Sequence, residues 1–159
     1  MRDVFGRFAT GITVVTCAGE VPHGMTANSF SSVSLEPPLV LVCVIRGTAM
    51  HDYVVASGGF AVSMLGADQE EVARHFANPD RPSGIAQFDA VDWTPGPWSG
   101  APLLCGALAW LECELSEVYE GGDHSIFLGQ VLGLGHSAGR EALLYFAGRY
   151  HQVLSNQSA

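Results

Sequence analysis

The stretch Gly24 to Val44, GMTANSFSSVSLEPPLVLVCV, decides how this chain is read. Thr26, Asn28, Ser29, Ser31, Ser32 and Ser34 place small hydrogen-bonding side chains close together, with no bulky charge between them. Pro37 and Pro38 then stop the segment, and the run from Pro38 to Ile45 is apolar throughout. Hydroxyls, amides and peptide N–H groups in such a row suit a flat ligand with a polar edge and a phosphate tail. The same composition also suits an edge strand and turn with no ligand, and spacing alone does not separate the two. The apolar run reads as a strand buried on both faces, because its alternate positions are apolar too.

Working outward, strand signals dominate. Gly11 to Cys17 and Phe60 to Leu65 are β-rich, and Gly24 to Ser34 reads as strand plus loop. Met50 to Ser57 reads as a short helix ended by Gly58-Gly59. Asp68 and Glu71 form a capping-box pattern that opens a second helix carrying Val72, Ala73 and Phe76 and stopping before Asn78-Pro79. From Asn78 to Pro102 the chain is rich in Pro, Gly, Asp and Trp and reads as loop. Ala107 to Val118 alternates, with Ala107, Ala109, Leu111, Cys113 and Leu115 on the apolar face and Trp110, Glu112, Glu114 and Ser116 on the other. Glu112, Glu114 and Glu117 therefore read as a solvated face. Two further β-rich runs, Ser125 to Leu134 and Leu143 to Leu154, complete a mainly β pattern of barrel or sandwich type with peripheral helices.

The 159 residues and 48% hydrophobic content fit a single domain spanning 1–159. The net charge of −9, with all seven basic residues arginine, argues against nucleic acid, which needs basic patches. It also means that any bound phosphate must be met by few arginines or by hydroxyls and backbone N–H groups. Arg46 and Arg149 are the two candidates. No apolar run is long enough for a membrane helix and no secretory leader is visible, so the expected location is the cytoplasm. Cys17, Cys43, Cys105 and Cys113 lack metal or disulfide spacing and read as reduced, mostly buried thiols. His23, His51, His75, His124, His136 and His151 show no HExxH or HxH spacing, so no metal is expected.

Taken whole, the GMTANSF segment, the upstream GRFATGITVVTC (Gly6 to Cys17), Gly122-Asp123-His124 with SIFLGQV, and the closing LLYFAGRYHQVL resemble, in order, the signatures of the flavin reductase family with the FMN-binding split-barrel fold. These proteins are the reductase components of two-component flavin-dependent monooxygenases. The resemblance implies an NAD(P)H:flavin oxidoreductase, using NADH in preference to NADPH, FAD or FMN as flavin, a homodimer, and a separate monooxygenase that receives the reduced flavin. It implies a flavin site from Thr26, Ala27, Asn28, Ser29, Phe30, Ser32 and Val33 together with Cys43, Val44, Ile45, Arg46, Gly47, Thr48, Ala49 and Met50. His124 would face the nicotinamide as the catalytic candidate, its ring oriented by Asp123, and Tyr145, Phe146, Ala147, Gly148, Arg149 and Tyr150 would close over the nicotinamide nucleotide. The family usually has lysine or serine where this chain has Arg46-Gly47-Thr48, and a few more helical residues before Gly6. A flavin carrier or sensor without reductase activity is the alternative reading, and a pyridoxamine-phosphate-type oxidase on a related barrel a third. Hydride transfer between two stacked rings needs no protein nucleophile, which agrees with the lack of a Ser-His-Asp set.

Overall fold

A computed structural model describes residues 1–138 and 141–153. In chain order the elements are α1 (Arg2–Phe5), β1 (Thr10–Gly11), β2 (Thr13–Cys17), β3 (His23–Ala27), β4 (Ser31–Leu35), β5 (Pro38–Ile45), α2 (Ala49–Ser57) and β6 (Gly59–Met64). They continue with α3 (Glu70–Ala77), β7 (Trp93–Pro95), β8 (Pro102–Leu104), β9 (Ala109–Gly121), β10 (His124–His136), β11 (Leu143–Phe146) and β12 (Arg149–Gln152). Seven strands form one antiparallel sheet in the order β3-β2-β6-β9-β10-β5-β4. A three-stranded sheet, β1-β11-β12, and the small β7-β8 ribbon complete the strands. The mainly β expectation holds.

Strand β2 shows how the sheet separates two cores. Successive side chains point to opposite faces of a strand. Val15 accordingly packs with Val42, Val44, Met50, Val54, Phe60, Val62 and Phe127, whereas Val14 packs with Ile12, Leu65, Phe76, Phe88, Leu104 and Leu143. Helix α2 closes the first core through Met50 and Val54, and α3 closes the second through Ala73 and Phe76. Burying each of these large side chains contributes about 1.5–3 kcal/mol. The two threonines of β2 remain satisfied inside, Thr13 Oγ1 donating to the Ala27 carbonyl at 2.8 Å and Thr16 Oγ1 to that of Pro102 at 2.7 Å.

The structure corrects several boundaries. Strand β5 is buried on one face only: Val40, Val42 and Val44 are inside, Leu39, Leu41 and Cys43 are half-buried, and Ile45 is exposed. The reason is that the first core and helix α2 lie on the Val40–Val42–Val44 face, and the alternate side chains point to the other face of the sheet. Helix α3 is entered through a 3-10 turn, Ala67–Gln69, and reciprocal bonds join Gln69 and Gly66 there. Gln69 N–H donates to the Gly66 carbonyl at 2.9 Å while Gln69 Oε1 accepts from Gly66 N–H at 3.0 Å. The closing run is a hairpin, β11 and β12, turning at Ala147-Gly148; its last predicted residue, Leu154, lies outside the described residues.

Glu112 is the largest departure. It is wholly buried, not solvated. The turn between β7 and β8 folds over it, and Oε1 accepts from Trp98 N–H at 3.1 Å, Ser99 N–H at 2.8 Å and Ser99 Oγ at 2.8 Å. Glu114 and Glu117 are exposed as expected.

Candidate active site

Two sheet connections carry most of the expected residues. Thr26 and Ala27 end β3, Asn28, Ser29 and Phe30 form the loop that follows, and Ser32 and Val33 sit on β4 at a register shift. Cys43, Val44 and Ile45 end β5, Arg46, Gly47 and Thr48 form the next turn, and Ala49 and Met50 open α2. Ser29 ties the two segments together. Its hydroxyl donates to the Cys43 carbonyl at 3.0 Å and accepts from Cys43 N–H at 3.1 Å. The Thr26 hydroxyl is likewise engaged, donating to the Ala73 carbonyl at 2.6 Å. Asn28 and Ser32 are exposed, while Ala27, Val44 and Met50 are buried and place their side chains in the core.

The turn after β5 is shaped for a close approach. Gly47 has φ +74, a conformation that L side chains rarely adopt, and an added Cβ would meet nothing within 4 Å, so its backbone faces open space. Thr48 caps α2, its side chain accepting from His51 N–H at 3.4 Å. His124 lies beside this turn because it pairs with Ile45 across the β5-β10 ladder, and Arg46 N–H donates to the Asp123 carbonyl at 3.0 Å. Asp123 Oδ1 is 2.7 Å from His124 Nδ1, which fixes the ring and leaves Nε2 directed away from the carboxylate. The histidine hydrogen bond holds the exposed Asp123 carboxyl below its ordinary range. Arg46 reaches Glu120 at 3.4 Å on the surface.

The closing hairpin stands at the other end of the β3 segment. Tyr145 and Tyr150 meet edge to face at 5.4 Å and, with Thr26, Ala27, Asn28 and Ile12, line a crevice of about 190 Å³. Arg74 of α3 lies 4.8 Å from the centre of the Tyr150 ring and is held by Glu70 one turn earlier. Phe146 packs near His151, while Ala147, Gly148 and Arg149 are exposed at the turn. The hollows lined by Asn28 and Tyr145 do not include His124. Within one chain, then, the structure gathers the expected residues into two groups, bridged by the Ser29–Cys43 bonds.

The sequence of the chain over residues 5–154 matches one family, that of the flavin reductase like domain. The chain belongs to this family. An NADH-dependent FAD reductase of Streptomyces globisporus is 55% identical over 96% of this chain and 84% of its own length. The solved NADH:FAD oxidoreductase SgcE6 of Streptomyces globisporus C-1027, in complex with NAD and FAD fragments, superposes with a TM-score of 0.92 at 52% identity, covering 98% of this chain and 92% of that one. BorF, the flavin reductase component of a bacterial two-component tryptophan halogenase, gives 0.92 at 51% identity over 96% and 95% of the two chains.

The residues of this flavin reductase fit a flavin. Strand β4 is a sheet edge, so one row of its peptide N–H and C=O groups is open beside the exposed Ser31 and Ser32, matching a ring edge that both donates and accepts. No group of three or more metal-ligating side chains gathers among the described residues. All four cysteines are free, but their burial differs from the expectation: Cys17 and Cys113 are inside, Cys43 is half-buried and Cys105 is exposed. Desolvation pushes Cys17 up to about 11 and Cys113 to about 12, which keeps both as inert thiols. Sequence reading passed over Arg2 and Arg7. Both line a hollow that also includes Asn28 and Tyr145, and only the fold brings α1 beside the hairpin.

Proposed function

We propose that this protein oxidises NADH, in preference to NADPH, and reduces free FAD or FMN, which then passes to a separate flavin-dependent monooxygenase. The observation that carries this reading is that the four matched segments fold into an open, hydroxyl-bearing edge on β4 with the Gly47 turn near His124, and a separate crevice lined by Tyr145 and Tyr150. When bound, the flavin supplies the hydride acceptor. The chain's residues hold and align the two partners; Gly47, Thr48 and Ala49 offer backbone N–H groups for phosphate, with Arg46 as the nearby cation. His124, steadied by Asp123, offers Nε2 to the nicotinamide end or to the charge that develops on the reduced ring. Tyr145 and Tyr150, both half-buried, supply the aromatic wall of the crevice.

The protein acts as a homodimer in the cytoplasm, on this reading, with a split-barrel arrangement. Ile45 and Tyr119 are exposed on one face of the β5–β10–β9 ladder, opposite Val42 and Val44, an apolar patch that a second copy would cover. Such a contact also offers a way to complete the site from two half-sites. No helix among the described residues is long and apolar enough to cross a membrane.

The test is anaerobic oxidation of NADH and NADPH with added FAD or FMN, for wild type and His124→Ala. The expected result is flavin-dependent NADH loss, lowered about 10–100-fold in the variant, the range for removal of one aligned polar group at a reacting centre. Tight flavin binding without nicotinamide oxidation would make the protein a carrier or sensor instead.

A further inference from the structure

Residue order shows no Ser-His-Asp motif, yet the fold assembles those three side chains at a place the proposed chemistry does not use. His51, in the first turn of α2, sets Nε2 3.0 Å from the Ser125 hydroxyl on β10 and Nδ1 3.3 Å from Asp52 Oδ1. With Asp52 accepting from Nδ1–H, Nε2 is left as the acceptor for the Ser125 O–H. Ser125 is 4% exposed, so its oxygen cannot meet a substrate and does not serve as a nucleophile. The bond instead joins a helix to a strand across 74 positions of sequence.

We propose that His51 is a positioning residue for the flavin phosphate, and that its bond to Ser125 fixes the Arg46–Ala49 turn against β10. One residue links the two parts. Its ring is bonded to the strand, while its N–H donates to Thr48 Oγ1 at 3.4 Å and that hydroxyl donates to the Ile45 carbonyl at 2.8 Å. Strand β10 is the fixed partner, since Ser125 is paired with Val44 on one side and Glu120 on the other. The turn is the adjustable partner: Arg46, Gly47 and Ala49 are exposed, and nothing packs on Gly47. Burial gives the bond its direction. The ring lies 5.2 Å from that of Phe127, which is wholly buried, and without His51 the Ser125 hydroxyl would be left in the core with no partner.

The effect falls on the phosphate and spares the ring. Phosphate oxygens read the positions of peptide N–H groups in the turn, where a small displacement breaks a charge-assisted bond. The hydroxyl row on β4 is held by the Ser29–Cys43 bonds and by pairing with β5, none of which involves His51. This inference rests on the flavin reading of the turn.

Fluorescence titration of the purified protein with FMN and with riboflavin, which lacks the phosphate, reads the effect without turnover. Wild type is expected to prefer FMN. In His51→Ala and in Ser125→Ala that preference falls about fivefold to tenfold, through FMN alone, with riboflavin affinity held within about twofold. Ser125→Ala removes only the hydroxyl oxygen, so it keeps the test open if His51→Ala does not fold. The double variant falls no further than the larger single change, because both substitutions remove the same bond. His51→Gln, whose amide reaches about as far as Nε2, restores most of the preference. An unchanged preference in Ser125→Ala, equal weakening of both ligands, or additive single effects overturns the inference and leaves flavin binding in place. Wild type that binds riboflavin as tightly as FMN overturns it too. Wild type that binds neither refutes the reductase reading itself, and the inference falls with it.

Discussion

Replacing Glu112 by alanine tests how far a single buried carboxylate holds the β7–β8 turn to the sheet. The Oε1 atom accepts from two peptide N–H groups and one hydroxyl, at 2.8 to 3.1 Å, while Oε2 is buried with no partner. Stranding those three donors costs about 1–1.5 kcal/mol each, and relief of the unpartnered oxygen returns about 1 kcal/mol, for a net loss of about 3 kcal/mol. In a chain of this length each kcal/mol moves Tm by about 2–4 °C, so Glu112→Ala should melt about 6–12 °C lower. Glu112→Gln keeps one acceptor oxygen and should lose less than half of that. Thermal unfolding followed by far-UV circular dichroism gives both numbers. A loss below about 1 kcal/mol for alanine, or a larger loss for glutamine than for alanine, would refute the argument, because the three accepted hydrogen bonds would then contribute little net stability.

Two further outcomes follow from buried contacts. His23 is pushed down to about 4 by burial and by Arg81, whose Nη2 lies 3.2 Å from its Nε2 and requires that nitrogen unprotonated. The native state therefore binds fewer protons than the unfolded chain between about pH 4 and 6.5, so this stabilisation is full above pH 6.5 and is lost as pH falls towards 4. Since the ring is partly exposed, the effect discounts to about 1–2 kcal/mol. Urea midpoints measured from pH 7 to 4 should fall less steeply in His23→Gln than in wild type, and parallel curves would count against it. Gly129→Ala would place a methyl 2.6 Å from Phe60 Cζ and 2.8 Å from Cys113 Cβ, both buried in the first core. Overpacking of this kind costs about 1–3 kcal/mol, visible as a lower urea midpoint, and an unchanged midpoint would show that the ring yields.

Part of the candidate site was legible because its geometry is local. The glycine between Arg46 and Thr48 and the Asp123-His124 pair at a strand start have geometries set by neighbours in sequence, so these candidates stand out without knowledge of the fold. The Asp123–His124 bond is such a case. Glu112 was misread for the opposite reason. Its alternation with Cys113 is that of an ordinary half-buried strand, and the donors that make its burial tolerable come from Trp98 and Ser99, on a segment whose own composition shows only that it is loop.

Residue order determined the longer strands, the two helices between them, the arginine scarcity and the four family signatures, because periodicity, capping and short motifs are properties of adjacent residues; the β7-β8 ribbon, in a stretch read as loop, was not among them. Tertiary structure alone decided which face of β5 is open, that the Ser29 hydroxyl is engaged by Cys43, that Arg2 and Arg7 meet the hairpin, and that His124 stands apart from Tyr145 and Tyr150 in one chain. Those facts depend on sheet order and register, which join residues up to a hundred or more positions apart, and no local pattern encodes them.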